Sequence, residues 1–296
     1  MRSFTHFYQN TPGFWSFLLC LLLLATQFAS HASERREPKI ALTLGEVQDE
    51  LLVAVTKDDR TQRAMLTTLK GSKPDHLLVA FSNDGLIGLV GYPQLTGTNR
   101  NAPLVRARHL FVSDRVALVQ FECPRDVQNQ CENTYRRGPE IEEDFKRLLE
   151  MVSSKLTVTK VSVVGHGGGT VGAVYLSSKT PIETTILLSP PDPYHKSASL
   201  IGSQIFVDTP LKSLKSRVLV FAHEDSECSF ANFENAARMS RDVTFVKVVG
   251  YSAIDNMMRG PCANLGRHGF IGRERQVGFA TLNFIEGLGT PPVEIK

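Results

Sequence analysis

The chain has no dense block of lysine or arginine: 33 basic and 30 acidic residues leave a formal charge of only +3 at pH 7. A polyanion-binding surface needs clustered positive charge, so nothing here points to a nucleic-acid partner. Internal repeats are absent, and so is any domain-sized linker. The 296 residues are enough to bury a substantial core, and they read as one large domain. No Cys-x-x-Cys occurs and no histidine stands at ligand spacing beside a cysteine, which removes the usual signature of a zinc site. No metal or cofactor is implied.

The first 32 residues differ in kind from the rest. A weakly basic start at Met1-Arg2 leads into the apolar run Phe14 to Ala25, and Ser30-His31-Ala32 has the small-x-small form of a cleavage site. This predicts a secretory signal over residues 1–32 and a mature domain over 33–296, periplasmic or extracellular and free of the membrane once the signal is removed. An uncleaved anchor is the competing reading, because the apolar run borders on spanning length. A lipoprotein signal is disfavoured by the bulky Leu19 before Cys20. Removing the leader leaves Cys123, Cys131, Cys228 and Cys262. An even number in an exported chain suggests two disulfides, although three pairings are formally open. Cys123 with Cys131 would close a short loop, and Cys228 with Cys262 would tie two late loops together.

The most informative absence lies in Val161 to Ser178, VSVVGHGGGTVGAVYLSS. The β-branched run Val161 to Val164 reads as a fully buried parallel strand, and Thr170 to Leu176 as a helix closely packed on a sheet. Between them, Gly165-His166-Gly167-Gly168-Gly169 supplies a turn almost free of side chains. The spacing Gly165-x-x-x-Gly169 is that of the nucleophile elbow G-x-S-x-G, in which a strained turn lifts a serine hydroxyl above the sheet. Here the middle residue is Gly167, so the hydroxyl is missing. A dinucleotide fingerprint is a second reading, in the frame Gly167, Gly169, Gly172 with Glu183 sixteen residues past Gly167. A purely structural turn is a third.

The remaining chain alternates strands and helices. Glu50–Val55 and Arg63–Leu69 read as a hairpin; His76–Phe81, Arg115–Phe121, Thr184–Ser189, Arg217–Ala222 and Val243–Val249 as strands. Helical spacing covers Pro103–Ser113, Arg137–Lys155, Phe230–Met239 and Glu274–Leu288. This predicts a largely parallel sheet covered on both faces. The polar loop Ser82-Asn83-Asp84-Gly85 follows a strand and is a candidate wall of a site, because ligands bind beyond strand carboxyl ends in such sheets. Pro190 to Ser213 would lie over the same edge, where a lid belongs. Asp225 just past a strand and His268 in the loop Gly266–Phe270 complete the chain order nucleophile, acid, histidine. In that arrangement the histidine takes the nucleophile's proton and the carboxylate fixes its tautomer. Glu224 is an alternative acid; His166 and His223 are alternative histidines.

With FSNDGLIGL (81–89), LVRARHLFVSDRVALVQFECPR (104–125), the elbow, Asp225-x-x-Cys228 and Gly260-Pro261-Cys262 with His268-Gly269-Phe270-Ile271-Gly272-Arg273-Glu274, the mature chain resembles exported bacterial α/β-hydrolase-fold proteins. The resemblance implies an eight-stranded sheet, a serine where Gly167 stands, Asp225 as acid, His268 as base, and an oxyanion hole from the Gly168 N–H and the loop after Phe81. Ser82 and Asn83 depart from the glycine-rich stretch expected there. Without a nucleophile the acyl-enzyme route is closed, and oxyanion stabilisation alone leaves at most roughly 10³–10⁴-fold acceleration over water. The expectation is therefore an impaired esterase-type protein that keeps a pocket for an ester or acyl ligand. The alternative is an active hydrolase in which His268, backed by Asp225, activates water or a non-standard nucleophile takes part.

Overall fold

The computed structural model describes residues 38–55, 61–83, 89, 92–95, 98–123, 135–198, 202–250 and 261–296. The expected leader and Cys131 lie outside these residues, as does most of the polar loop after Asn83.

Strands β1 (Val47–Val55) and β2 (Thr61–Leu69) form the expected antiparallel hairpin. Seven further strands follow: β3 (His76–Phe81), β4 (Val116–Glu122), β5 (Lys160–His166), β6 (Thr184–Leu188), β7 (Arg217–His223), β8 (Thr244–Val248) and β9 (Glu294–Ile295). The sheet order is β1-β2-β4-β3-β5-β6-β7-β8-β9, parallel from β4 to β9. Helices α1 (Pro103–Arg106), α2 (Pro139–Ser153), α3 (Gly169–Lys179), α4 (Ile205–Asp208), α5 (Phe233–Met239) and α6 (Glu274–Glu286) complete the described elements together with short 3-10 turns.

Every residue of β3 and β4 is buried, so successive side chains feed two cores rather than one core and solvent. Leu77, Val79 and Phe81 face a cluster that includes Phe145 and Leu148 of α2 and Val171 and Val174 of α3. Leu78 and Ala80 face the opposite one, with Phe111, Phe221, and Val277 and Leu282 of α6. The stripe Ile141, Phe145, Leu148, Val152 is the buried face of α2, as its spacing predicts. α3 has no such stripe, because nearly all of its residues are buried.

Two expectations need correction. Among the described residues the sheet has nine strands, not eight: Glu294–Ile295 pairs parallel with Lys247–Val248, Ile295 is buried, and Lys247 Nζ lies 2.6 Å from Glu294. Two residues beyond a proline pair carry no readable periodicity. The helix expected over 103–113 is broken at Ala107 into α1 and a 3-10 turn, Arg108–Phe111. The break turns Leu110 and Phe111 into the core under α6.

Phe221 is fully buried at the centre of the α6-side core. Phe221→Ala is expected to lower unfolding free energy by about 3–5 kcal/mol, read as a reduced urea midpoint with little change in slope.

Candidate active site

The carboxyl ends of β3, β5, β6 and β7 converge on the turn after β5. Gly165 is required by close approach, since a Cβ there would lie 2.5 Å from the Thr170 Cα. Gly167 turns the corner with φ +53°, a left-handed conformation that glycine adopts without the cost borne by other residues. Its N–H donates to the Leu188 carbonyl (2.9 Å), and its own carbonyl accepts from the Thr170 N–H (3.1 Å) and hydroxyl (2.6 Å). Gly167 therefore occupies a strand-to-helix corner pinned on both sides.

A Cβ on Gly167 would lie 3.3 Å from His268 Nε2, 2.6 Å from Asn83 Oδ1 and 3.0 Å from Asn83 Cγ. The imidazole edge of His268 thus lies beside the place a side chain at residue 167 would take, and the Asn83 carboxamide occupies part of that place. The same Oδ1 accepts from the Gly168 N–H at 2.6 Å. The N–H expected to be open for an oxyanion is occupied by a side chain of the protein itself.

His268 lies in the 3-10 turn Arg267–Gly269. Its carbonyl accepts from His166 Nε2 (3.1 Å) and Ser189 Oγ (2.8 Å), and its ring centroid is 4.9 Å from that of His166. Because a carbonyl only accepts, His166 carries its proton on Nε2; His166 is a structural support of the loop. Arg106 holds the same loop from the other side. Its guanidinium donates to the carbonyls of Asn264 and Gly269, both at 2.8 Å, and pairs with Glu274 at 2.7 Å. A disulfide joins Cys228 to Cys262, so the loop is also fixed to the segment after β7. Cys123 is disulfide-bonded as well.

The acid does not meet the histidine. His268 Nδ1 is buried with no hydrogen-bond partner among the described residues, and Asp225 is exposed. The reason is local: the Asp225 N–H donates to His223 Nδ1 (3.1 Å), and its carbonyl accepts from Arg267 (3.3 Å), which leaves the carboxylate in solvent. His223 uses its other nitrogen to donate to the Gly250 carbonyl (2.7 Å), so it is a brace for this turn. Glu224 is exposed and pairs with Lys247 at 3.3 Å. Burial alone lowers the His268 pKa, to about 4. Burial, and then the His268 ring, hold His166 well below the usual range.

Arg136 is the residue that sequence reasoning missed. It is buried, and a Cβ on Gly168 would collide with its Nη1. Its position before α2, in Arg136-Arg137-Gly138, gave only the signal of a basic pair ahead of a helix. Ser82 is buried with its hydroxyl unpartnered; beside it, Arg136, Gly169 and Gly172 line a void of about 10 Å³, room for about one water. A groove of about 750 Å³ lies at the other edge of the sheet, along the amino ends of β5 and β6. The segment expected as a lid is tied down: the Asp192 N–H donates to the Phe230 carbonyl (2.6 Å), the Asp192 carboxylate accepts from Asn235 (2.6 Å), and Ser203 donates to the Asp192 carbonyl (2.8 Å). Among the described residues no group of three or more His, Cys, Asp or Glu is placed to hold a metal ion, and no helix is long and apolar enough to cross a membrane.

Comparison with solved structures decides the architecture. The chain has an α/β-hydrolase fold. It is similar to the esterase domain of a Rhodothermus marinus protein (TM-score 0.51, 12% identity, covering 81% of this chain and 98% of that one). It is also similar to Est1E from Butyrivibrio proteoclasticus (0.50, 13%, 81% and 98%) and to a 2,6-dihydroxy-pseudo-oxynicotine hydrolase (0.51, 11%, 85% and 72%). At these identities the likeness is one of fold. No family model matches the sequence, and no curated protein matches it.

A histidine kept neutral by burial makes stability depend on pH. The unfolded chain takes up its proton near pH 6.5, the folded one only near pH 4, so below 6.5 the unfolded state binds more protons and stability falls. His268 contributes a loss of up to about 3 kcal/mol, complete near pH 4 and absent above 6.5. Urea midpoints at pH 7 and pH 4.5 are expected to differ less in His268→Gln than in the native chain.

Proposed function

We propose that this chain is an exported α/β-hydrolase-fold protein in which serine-type catalysis is silenced and the centre is kept for binding an ester-like or acyl compound. The observation that carries the reading is the corner itself: Gly167 offers no hydroxyl, and a side chain placed there would lie closer to the Asn83 carboxamide than to His268 Nε2. Covalent acyl transfer needs a nucleophile whose proton the histidine takes. His268 has the position for that task and nothing to take a proton from. Its missing acid partner and its lowered pKa also weaken it as a base for water, because a general base works best with a pKa near the working pH. Export is supported by the Cys228–Cys262 disulfide, since such bonds persist in oxidising compartments.

The test is turnover of short and medium acyl p-nitrophenyl esters together with labelling by a fluorophosphonate. The native chain is expected to give neither. In Gly167→Ser, the serine Oγ bonds to phosphorus as the P–F bond breaks and His268 takes the proton. Labelling there should be slow, because the new Cβ must displace Asn83 and a side chain at φ +53° costs about 1–2 kcal/mol. Robust turnover by the native chain that disappears in His268→Ala would sink the reading in favour of water activation.

A further inference from the structure

The groove of about 750 Å³ lies at the opposite end of β5 from the glycine corner, and its volume is that of a ligand pocket. Three segments wall it: the start of β5, the link from α3 to β6, and the stretch between the 3-10 turn Leu211–Ser213 and β7. Its apolar lining is Val161, Ile182 and Leu214, which belong to the core beneath or pack against it.

Charge is unequal there. Lys160, Lys179 and Lys215 line the groove and are exposed, against one lining carboxylate, Glu183. None of the three ammoniums makes an ion pair among the described residues; Lys179 has only the Tyr175 ring, 5.9 Å away. Lys212, two residues before Leu214, is by contrast paired with Asp242 at 3.2 Å. Asp75, which accepts from the Thr159 hydroxyl at 3.3 Å, stands outside the lining. The excess of lysine favours an anion.

The uncharged lining asks for more than an anion. The hydroxyls of Ser178, Thr180 and Ser213 already donate to the carbonyls of Tyr175, Leu176 and Pro210, at 2.7, 2.8 and 2.7 Å. A hydroxyl has one proton and two lone pairs, so what each has left for a ligand is an acceptor. α3 also ends at the groove, and a helix carboxyl end carries partial negative charge. Inorganic phosphate is chiefly an acceptor and leaves these groups unmet. An acidic peptide brings a carbonyl acceptor with every N–H. A uronic acid ring carries free hydroxyl donors beside its carboxylate, and its C–H faces suit an apolar lining.

We propose that this groove binds an acidic oligosaccharide, a short chain of uronic acid residues. Its carboxylates meet Lys160, Lys179 and Lys215, its hydroxyls donate to Ser178, Thr180 and Ser213, and its ring faces lie on Val161, Ile182 and Leu214. The site is separate from the glycine corner, and binding there does not depend on whether that corner is silent.

The experiment is calorimetric titration of the full chain with tetragalacturonate and with tetramannuronate, two oligouronates of different ring geometry. At least one should bind, with an affinity that falls as salt is raised. Lys160→Gln, Lys179→Gln and Lys215→Gln should each weaken it about two- to fivefold, the scale of an exposed ion pair, and the triple variant about tenfold or more. Ser178→Ala combined with Ser213→Ala should weaken it about fivefold, through lost hydrogen bonds. The fully methyl-esterified tetramer, which keeps the hydroxyls and loses the charge, should bind several-fold more weakly. So should tetraglutamate, which keeps the carboxylates and loses the ring hydroxyls.

The proposal is overturned if neither oligouronate binds, if the methyl ester or tetraglutamate binds as tightly as the better oligouronate, or if the triple lysine variant, folded by circular dichroism, stays within twofold of native. Should the triple variant fail to fold, Lys215→Glu alone binding within twofold of native overturns it equally.

Discussion

The close return of α3 onto β5 constrains everything around it. With the Thr170 backbone 2.5 Å from where a Gly165 Cβ would project, the next-to-last residue of the strand must be glycine and the chain must reverse within three residues. Reversal that tight leaves the middle residue with positive φ, and it aims the next N–H out over the strand ends rather than into the helix. The corner is therefore a place where a backbone donor must find a partner from outside its own element. In a working serine hydrolase that partner is the oxyanion of the reaction. Here the Asn83 side chain is that partner, and the donor at the corner is satisfied by an ordinary hydrogen bond within the chain.

The histidine loop obeys a different logic. His268 is surrounded by restraints on its backbone: His166 and Ser189 on its own carbonyl, Arg106 on the carbonyls of Asn264 and Gly269, and a disulfide six residues upstream. Its ring has almost none, because Nδ1 makes no hydrogen bond among the described residues. A buried imidazole in that state is stable only when neutral, since charging it would place an unpaired cation in a low-dielectric site. Position is thus retained while the electrostatic support for proton transfer is not. Of the three positions expected for a triad, residue 167 is a glycine, Asp225 is turned to solvent, and His268 lies beside the corner with no partner on Nδ1 among the described residues.

Much of this architecture was legible in the sequence, for physical reasons that also mark where legibility ends. Fully buried parallel strands announce themselves as runs such as Leu77–Phe81 and Val161–Val164, and α2 through its apolar stripe at three- and four-residue spacing. The glycine corner was equally clear, because few structures other than a tight strand-to-helix reversal use four glycines in five residues. Tertiary hydrogen bonds were not readable. The sequence places Asp225 just after a strand, where an acid belongs; whether its carboxylate turns inward depends on His223 and Arg267 capturing its backbone, and no local pattern encodes that. Arg136 and Arg106 are hidden for the same reason: each is an ordinary basic residue until the fold buries it. The ninth strand is too short for periodicity to mark.

Glycine at 167 and the Asn83 side chain beside it act in the same direction on stability. A serine in the left-handed corner stores strain that the surrounding structure must overcome, and a backbone N–H at the start of a helix needs a partner from outside the helix. Glycine at 167 avoids the strain, and the Asn83 carboxamide supplies the partner. The two are coupled through space, because a Cβ at residue 167 and the Asn83 amide cannot occupy their present positions together. With a side chain at 167, the Asn83 amide would have to move off the Gly168 N–H. A serine placed there would meet both the backbone strain of the left-handed corner and a hydrogen bond already formed. The glycine form of the corner is thus favoured by two small, mutually reinforcing gains.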